Sequence, residues 1–373
     1  MKPRLILPFA SRLRSGFGAT SLILVVAIGF VLLVLATHQW DPMAFVRLGT
    51  RYSRGDPKGS IGYDGQFVYQ IALHPLRAAP YLDIPAYRYQ RILYPVAGRI
   101  AGLGQSSLIP WALIGLNVLA LAAGTHVMGI LLASNGLNPW YAVTVGIFAG
   151  QLVSLRLDLS EPFSLTFALL GIHAFEIGRS RLGAINLALS MLSKETALAF
   201  VGGYLIYFLL KGRWRAFIET GLISLGPFAL LQAVLWLSFG QIGLRSGGQG
   251  ATSFNPIPFG GLFAFGLTDV KTSLTVLLIL GPLVLLPSLA LTVVLARDLL
   301  RQDYSPVAMT LALHVIMMAI LPFSTYVDLP GMLRLTSGLV VATVAFGAIT
   351  QSRRMLNYST LWVGSLAFLR FFV

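Results

Sequence analysis

One carboxylate between an aromatic residue and a glycine stands out in GYDGQFVYQIALHP, Gly62 to Pro75. Asp64 ends a loop and opens an apolar run, a placement that suits a helix N-cap. It equally suits a general base, because a carboxylate at a water–lipid boundary can take the proton of an attacking hydroxyl. Gln66 and Tyr69 follow on the same run and offer polar groups that orient a sugar. RLDLSEP, Arg156 to Pro162, sets Asp158 and Glu161 beside an apolar stretch. Charges there are expensive and usually face a water-filled cavity. These two acids read as holders of a divalent cation, Mg²⁺ or Mn²⁺, or as groups that position an acceptor. A helix end followed by a capped start, Ser160-Glu161-Pro162, explains them equally well.

Three further places carry charge where apolar segments break. SKETAL holds Lys194 and Glu195, either a local ion pair or, through Lys194, a contact to a phosphate head. Arg245 sits in GQIGLRSGGQGATSFNPIPFGG, a glycine-rich stretch of the kind that closes over a substrate. In STYVDLPGMLRLTSG, Asp328 and Arg334 flank a helix start. Arg334 either binds phosphate with both guanidinium edges or snorkels to an interface.

The elements that must position these residues are apolar. Of 373 residues, 56% are hydrophobic and 11% charged, and the mean hydropathy is +0.78. A soluble chain of this length carries about a quarter charged residues, so lipid is the solvent for much of this one. Cysteine is absent, which excludes disulfides, thiolate metal sites and a cysteine nucleophile. His38, His74, His126, His173 and His314 show no zinc-site spacing. The net charge of +14 fits anionic lipid or phosphate rather than nucleic acid.

Eleven apolar segments read as spans, in one transmembrane domain over 1–373. The first covers about Ser21–Thr37. The rest lie near Leu108–Ala133, Trp140–Leu155, Phe163–Phe175, Leu182–Leu192, Ala197–Leu210, Phe217–Phe239, Ser273–Ala296, Val307–Pro322, Leu335–Thr350 and Leu356–Phe372. Leu182–Leu192 is short, and if it joins the next segment as a broken helix around Lys194-Glu195 the count is ten. With the N-terminus in the cytoplasm, Lys2, Arg4, Arg12, Arg14, Arg179, Arg181, Lys211, Arg213, Arg215, Arg297, Arg301, Arg353 and Arg354 all lie inside, as the positive-inside rule expects. The outer side then receives the 38–105 and 240–272 loops and most carboxylates. The first outer loop also carries cations that anchoring does not explain, and phosphate is a natural partner for them.

Two amphipathic helices are expected in that loop. One is DGQFVYQIAL, Asp64 to Leu73, with Phe67 and Ile71 toward lipid. The other lies in YRYQRILYPVAGRIAGLG, Tyr87 to Gly104, where Arg88, Arg91 and Arg99 alternate with Ile92, Leu93, Val96, Ile100 and Leu103 at helical spacing. An acid in the first outer loop, an amphipathic helix after it and a second one leading into the next span resemble the GT-C superfamily of polytopic glycosyltransferases. YDGQFVYQIALHP, YRYQRILYPVAGRIAGLG and SKETAL are similar to bacterial membrane proteins of cell-surface glycopolymer formation. The organisational likeness runs to about Leu210.

The resemblance implies an all-α, GT-C-like membrane protein of the bacterial cytoplasmic membrane, with its site facing the periplasm or exterior. It implies an inverting transfer of sugar from a polyprenyl-phosphate donor to a glycan or lipid acceptor, with Asp64 as base. Arg88, Arg91, Lys194 or Arg334, or a cation held by Asp158 and Glu161, then meets the leaving phosphate. A transporter or flippase for a lipid-linked saccharide is the alternative; it calls for charges buried mid-span and an internal repeat. No repeat is visible, and the charges cluster at span ends.

Overall fold

The computed structural model describes residues 16–248, 250–264, 274 and 277–372, and every regular element among them is helical. The run FGATSLILVVAIGFVLLVLAT forms α1 (Phe17–Thr37). It is apolar on all sides, as befits a helix solvated by lipid. Val25, Leu32 and Leu33 stay exposed while Ile23, Ala27 and Val34 pack inward. In the first loop, beyond single-turn helices at Met43–Val46 and Thr50–Ser53 and a 3₁₀ turn at Ala79–Tyr81, come α2 (Gly65–Leu73), α3 (Pro85–Tyr89) and α4 (Leu93–Ala101). The body continues through α5 (Ile109–Ser134), α6 (Ala149–Arg156), α7 (Glu161–Glu176), α8 (Ser180–Ser193), α9 (Leu198–Leu210) and α10 (Trp214–Phe239). It closes with α11 (Leu277–Leu300), α12 (Pro306–Ala319), α13 (Leu329–Ile349) and a 3₁₀ run over Thr360–Phe371.

Five helices, α1, α5, α10, α11 and α13, are long and apolar enough to cross a membrane. Together with the composition they make this an all-α membrane protein. The expectation of eleven spans therefore meets five helices of full length among the described residues. Helices α7, α8, α9 and α12 run only 13 to 16 residues. At 1.5 Å per residue that is about 20–24 Å, short of the roughly 30 Å hydrocarbon core. The shortening has a local cause. Leu157 to Ser160 separate α6 from α7, and Lys194 takes an extended conformation (φ −157°, ψ 125°) that ends α8 before α9 begins. The segment expected at Trp140–Leu155 is broken as well, because Phe148 (ψ 132°) leaves the helical region between Val143–Ile147 and α6.

The first-loop helices turn the opposite way to the expected one. Phe67 and Ile71 are buried and pack near Leu235 of α10, rather than facing lipid. Arg88 and Arg91 are buried, while Ile100 and Leu103 are the exposed residues of their stretch. The second expected helix is two, because residues 90–92 separate α3 from α4.

The molecule has two chemically distinct ends. Gly16 lies against His126 and Gly129 near the C-terminal end of α5, so α1 and α5 run antiparallel. Helix α8 carries Arg181 against Glu219 at one end, and Lys194, just beyond its last residue, against Glu161 at the other. Arg179, Arg181, Lys211, Arg213, Arg215, Arg297, Arg301, Arg353 and Arg354 are exposed. The first-loop helices pack at the Glu161 end. Lys2, Arg4, Arg12, Arg14, Asp269 and Lys271 lie outside the described residues.

Helix α13 is the most enclosed of the five long helices, with 89% of its apolar stretch buried. Lipid tails are as apolar as leucine, so close packing rather than hydrophobic burial must hold it there. Gly150 of α6 provides that closeness: a Cβ at this position would stand 2.0 Å from the Leu333 carbonyl oxygen of α13. Gly150→Ala is expected to force the two helices apart and cost at least about 1–3 kcal/mol, the usual penalty for overpacking. Thermal melting in detergent would read this as a lowered midpoint; an unchanged midpoint would contradict the close approach.

Candidate functional site

Asp64 precedes α2 but does not cap it. Its backbone is already helical (φ −55°, ψ −30°), and its side chain makes no capping hydrogen bond. The carboxylate is instead free to face inward. Gly65 fixes where it stands, since a Cβ there would lie 2.2 Å from the Leu157 carbonyl oxygen. This contact binds the start of α2 to the turn between α6 and α7. Asn117 of α5 steadies the same turn, donating to the Leu159 carbonyl at 3.0 Å and to the Tyr94 hydroxyl at 2.7 Å.

Two guanidinium groups meet Asp64, one on each oxygen. Arg88 Nη1 lies 2.9 Å from Oδ1, and Arg334 Nη1 and Nη2 lie 3.3 and 3.4 Å from Oδ2. Each arginine is held more closely by a second acid. Arg88 donates twice to Asp83, at 2.7 Å through Nε and 2.7 Å through Nη2. Arg334 Nε donates to Glu161 Oε1 at 2.8 Å. Lys194 Nζ reaches the same Glu161 oxygen at 2.7 Å, and Arg91 forms a fork on Glu195 at 2.8 and 2.5 Å. Such bidentate pairs are the strong, geometrically specific kind. Lys194 and Glu195 thus pair with distant acids and bases rather than with each other. Arg334 is 6% exposed and does not snorkel.

Arg88, Arg91, Lys194 and Arg334 face Asp64, Asp83, Glu161 and Glu195, so the formal charges of the network cancel. Burial pushes the Asp64 carboxyl up, but Arg88 and Arg334, with Arg91 and Lys194 behind them, outweigh it and hold the group well below the usual carboxylate range. Its side chain keeps 26% of its surface exposed, more than any of its basic partners in the cluster. Tyr63 donates its hydroxyl to Asp328 at 3.0 Å and accepts from Arg334 at 3.1 Å, tying the loop to the start of α13.

A cavity of about 20 Å³ lies among Asp64, Arg88, Arg91, Glu161, Lys194 and Arg334. That is room for about one water molecule. Phe67, Val68, Ile71, Pro95 and Leu159 form its apolar wall. A second void of about 10 Å³ shares Glu161, Lys194 and Arg334 and extends toward His314. A wider groove of about 550 Å³, lined by Arg181, Arg213, Trp214, Arg215 and Glu219, lies elsewhere and touches none of these groups.

Not every expected residue is in the cluster. Gln66 is 1% exposed and is used by the loop itself, accepting from Gly49 N–H at 3.0 Å and donating to Ile61 at 2.7 Å. Tyr69 packs beside Ala72, Tyr94 and Ile109 and does not line the cavity. Arg245 is exposed, in a shallow groove with Gln241 and Ser246. Its loop nonetheless covers the site through Gly248, where a Cβ would lie 3.2 Å from Arg88 Nη2. Asp158 and Glu161 do not act as a pair. Glu161 Oε1 is taken by two cations, which would repel a metal ion. Asp158 is fully buried at φ 50°, a strained conformation for a non-glycine residue, and neither of its oxygens meets a donor among the described residues. No group of three metal-ligating side chains occurs among the described residues.

Sequence reading did not single out Asp83, Tyr63 or Gly248. The spacing Asp83 to Arg88 on either side of a helix start was the available signal for the first. Compared with known proteins, the chain matches no family model, no curated protein and no solved structure.

Proposed function

We propose that this protein is an inverting glycosyltransferase of the GT-C type, moving a sugar from a polyprenyl-phosphate donor to a hydroxyl acceptor in cell-surface glycan assembly. The observation that carries the reading is the convergence of two guanidinium groups, Arg88 and Arg334, on one partly open carboxylate, with Arg91 and Lys194 lining the same cavity beside an apolar wall, at one end of a membrane protein. A phosphate on a lipid tail asks for that combination: guanidinium forks for the head group and an apolar surface for the chain.

In the proposed reaction Asp64 takes the proton of the acceptor hydroxyl. The acceptor oxygen forms its bond to the anomeric carbon while the bond from that carbon to the phosphate oxygen breaks. The electron pair leaves on the phosphate, and attack from the opposite face inverts the configuration. Arg88, Arg334, Arg91 and Lys194 stabilise the charge gathering on the phosphate, and preorganised charge of this kind usually lowers such a barrier more than any other effect. No step is assigned to a divalent cation.

The exposed arginines of the end remote from Asp64 support a cytoplasmic placement for that end, with the site on the outer face of a bacterial cytoplasmic membrane. The eleven-segment GT-C arrangement belongs to this proposal too. It requires the short helices to be completed by the polar breaks at their site ends. Flipping of a lipid-linked saccharide is the competing reading, and the gathering of charge at one end favours the transferase.

Purified protein incubated with a panel of polyprenyl-phosphate sugars and acceptor glycans should release polyprenyl phosphate. Absence of release across the panel, with lipid translocation in vesicles, would replace the transferase by the transporter. Arg245→Ala is expected to leave turnover within about twofold, as for a surface change of about 0.5 kcal/mol or less. A loss beyond tenfold would bring that loop residue into the site.

A further inference from the structure

Each arginine on Asp64 has a firm anchor and a looser spare edge. Arg88 is fixed by two bonds of 2.7 Å to Asp83 and Arg334 by one of 2.8 Å to Glu161, while their contacts to Asp64 span 2.9 to 3.4 Å. The anchors keep both guanidinium groups in place if the spare edges let go. The cavity at this point holds about 20 Å³, enough for about one water molecule and too little for a phosphate. A phosphate that enters at this point competes with Asp64 for those edges.

We propose that Arg88 and Arg334 hand over their free edges from Asp64 to a bound phosphate monoester, and that this exchange places a proton on Asp64. The inference rests on the reading of this site as one that meets a lipid-borne phosphate, and it adds how the base and the leaving group are coupled.

Charge balance drives the exchange. The groups around Asp64 are Arg88, Arg91 and Asp83 from the first loop, Glu161 of α7, Lys194 and Glu195 between α8 and α9, and Tyr63, Asp328 and Arg334. The four ion-paired acids and four bases already cancel, Tyr63 is a neutral phenol, and Asp328, a fifth acid held by the Tyr63 hydroxyl, is pushed up by burial. Arrival of a dianion adds two negative charges to the ion-paired network, and Asp64, the acid whose cations the phosphate takes, is the one that protonates. A carboxyl deprived of its cations, partly buried and facing phosphate oxygens, is pushed up by burial and like charge together. Its proton comes from the buffer when the phosphate arrives as product, and from the acceptor hydroxyl when the phosphate is generated by transfer. In both cases the protonated carboxyl can donate to a phosphate oxygen. Basicity at Asp64 thus grows as negative charge grows on the leaving group, and the two events assist each other.

The test is calorimetric titration of the full-length protein with a short-chain polyprenyl phosphate at pH 7.5–8.5, in buffers that differ in ionisation enthalpy. Wild-type protein is expected to take up about one proton per phosphate, so its affinity falls about tenfold per pH unit across that window. Asp64→Asn is expected to bind the phosphate at least as tightly, without that uptake. Inorganic phosphate should drive the same uptake at higher concentration if the head group alone is recognised; uptake with the lipid phosphate only would assign part of the recognition to the tail, with the exchange intact. Binding with no proton uptake, or uptake that persists in Asp64→Asn, overturns the hand-over and leaves the transferase reading standing. Absence of binding by wild type and variant alike overturns both.

Discussion

Asp64→Asn is expected to insert and fold as the unaltered chain does, and to lose turnover by on the order of a hundredfold or more, the contribution typical of a general base. Both parts of that expectation come from the same geometry. The amide keeps the shape of the carboxylate and the start of α2, which rests on Gly65 against Leu157 rather than on a cap from residue 64. Arg88 and Arg334 do not become orphaned, because Asp83 and Glu161 still hold them. What disappears is the most exposed of the four ion-paired acids, the group that an acceptor hydroxyl can reach. Initial rates of polyprenyl-phosphate release, compared at equal amounts of folded protein by gel filtration in detergent, would measure the loss. Wild-type rates in the variant would remove Asp64 from the chemistry and reduce the cluster to a structural role.

The sequence made the class of molecule legible but not its depth. Apolar composition and the runs that became α1, α5, α10, α11 and α13 point to helices in lipid because period and length are local properties. The ends of α7, α8 and α9 were less legible, since Glu161, Lys194 and Glu195 interrupt runs whose apolar content continues on both sides. Asp64, Arg88, Arg91, Lys194, Glu195 and Arg334 were visible as chemically unusual residues for their surroundings, and the fold brings them together. Their partners were not visible. That Arg334 meets Glu161, or Arg91 meets Glu195, depends on contacts between residues 173 and 104 positions apart, which no local pattern encodes. Gln66 and Tyr69 mislead for the same reason: a polar side chain next to a candidate base has no sign that says whether a loop or a ligand will use it. The orientation of the first-loop helices failed because a charged stripe beside a membrane can face water or a buried acid, and here the acids Asp83 and Glu195 decide.

Glu161 is the residue whose loss should be felt most in stability. It is 4% exposed, and one of its oxygens, Oε1, accepts from both Lys194 and Arg334. Glu161→Gln keeps the volume and removes the charge, leaving an ammonium and a guanidinium buried side by side. Arg334 retains a longer contact to Asp64, but Lys194 has no other ion pair among the described residues. Removing one partner of a buried pair costs about 3–5 kcal/mol, and that loss is expected here as a lowered unfolding midpoint in detergent. Replacing the stranded cation should recover much of it, so Glu161→Gln combined with Lys194→Met is expected to be more stable than Glu161→Gln alone. The cycle completed by Lys194→Met isolates the interaction from side effects of each change. If the double variant is no more stable than the single one, Lys194 is not the group that Glu161 neutralises. If Glu161→Gln melts like the wild type, the acid at the entrance of α7 is not paired as described. The same variant also separates stability from chemistry. Without Glu161 anchoring its Nε edge, Arg334 is free to bind Asp64 or a phosphate with its whole fork, so any folded fraction should hold phosphate more tightly and turn over more slowly.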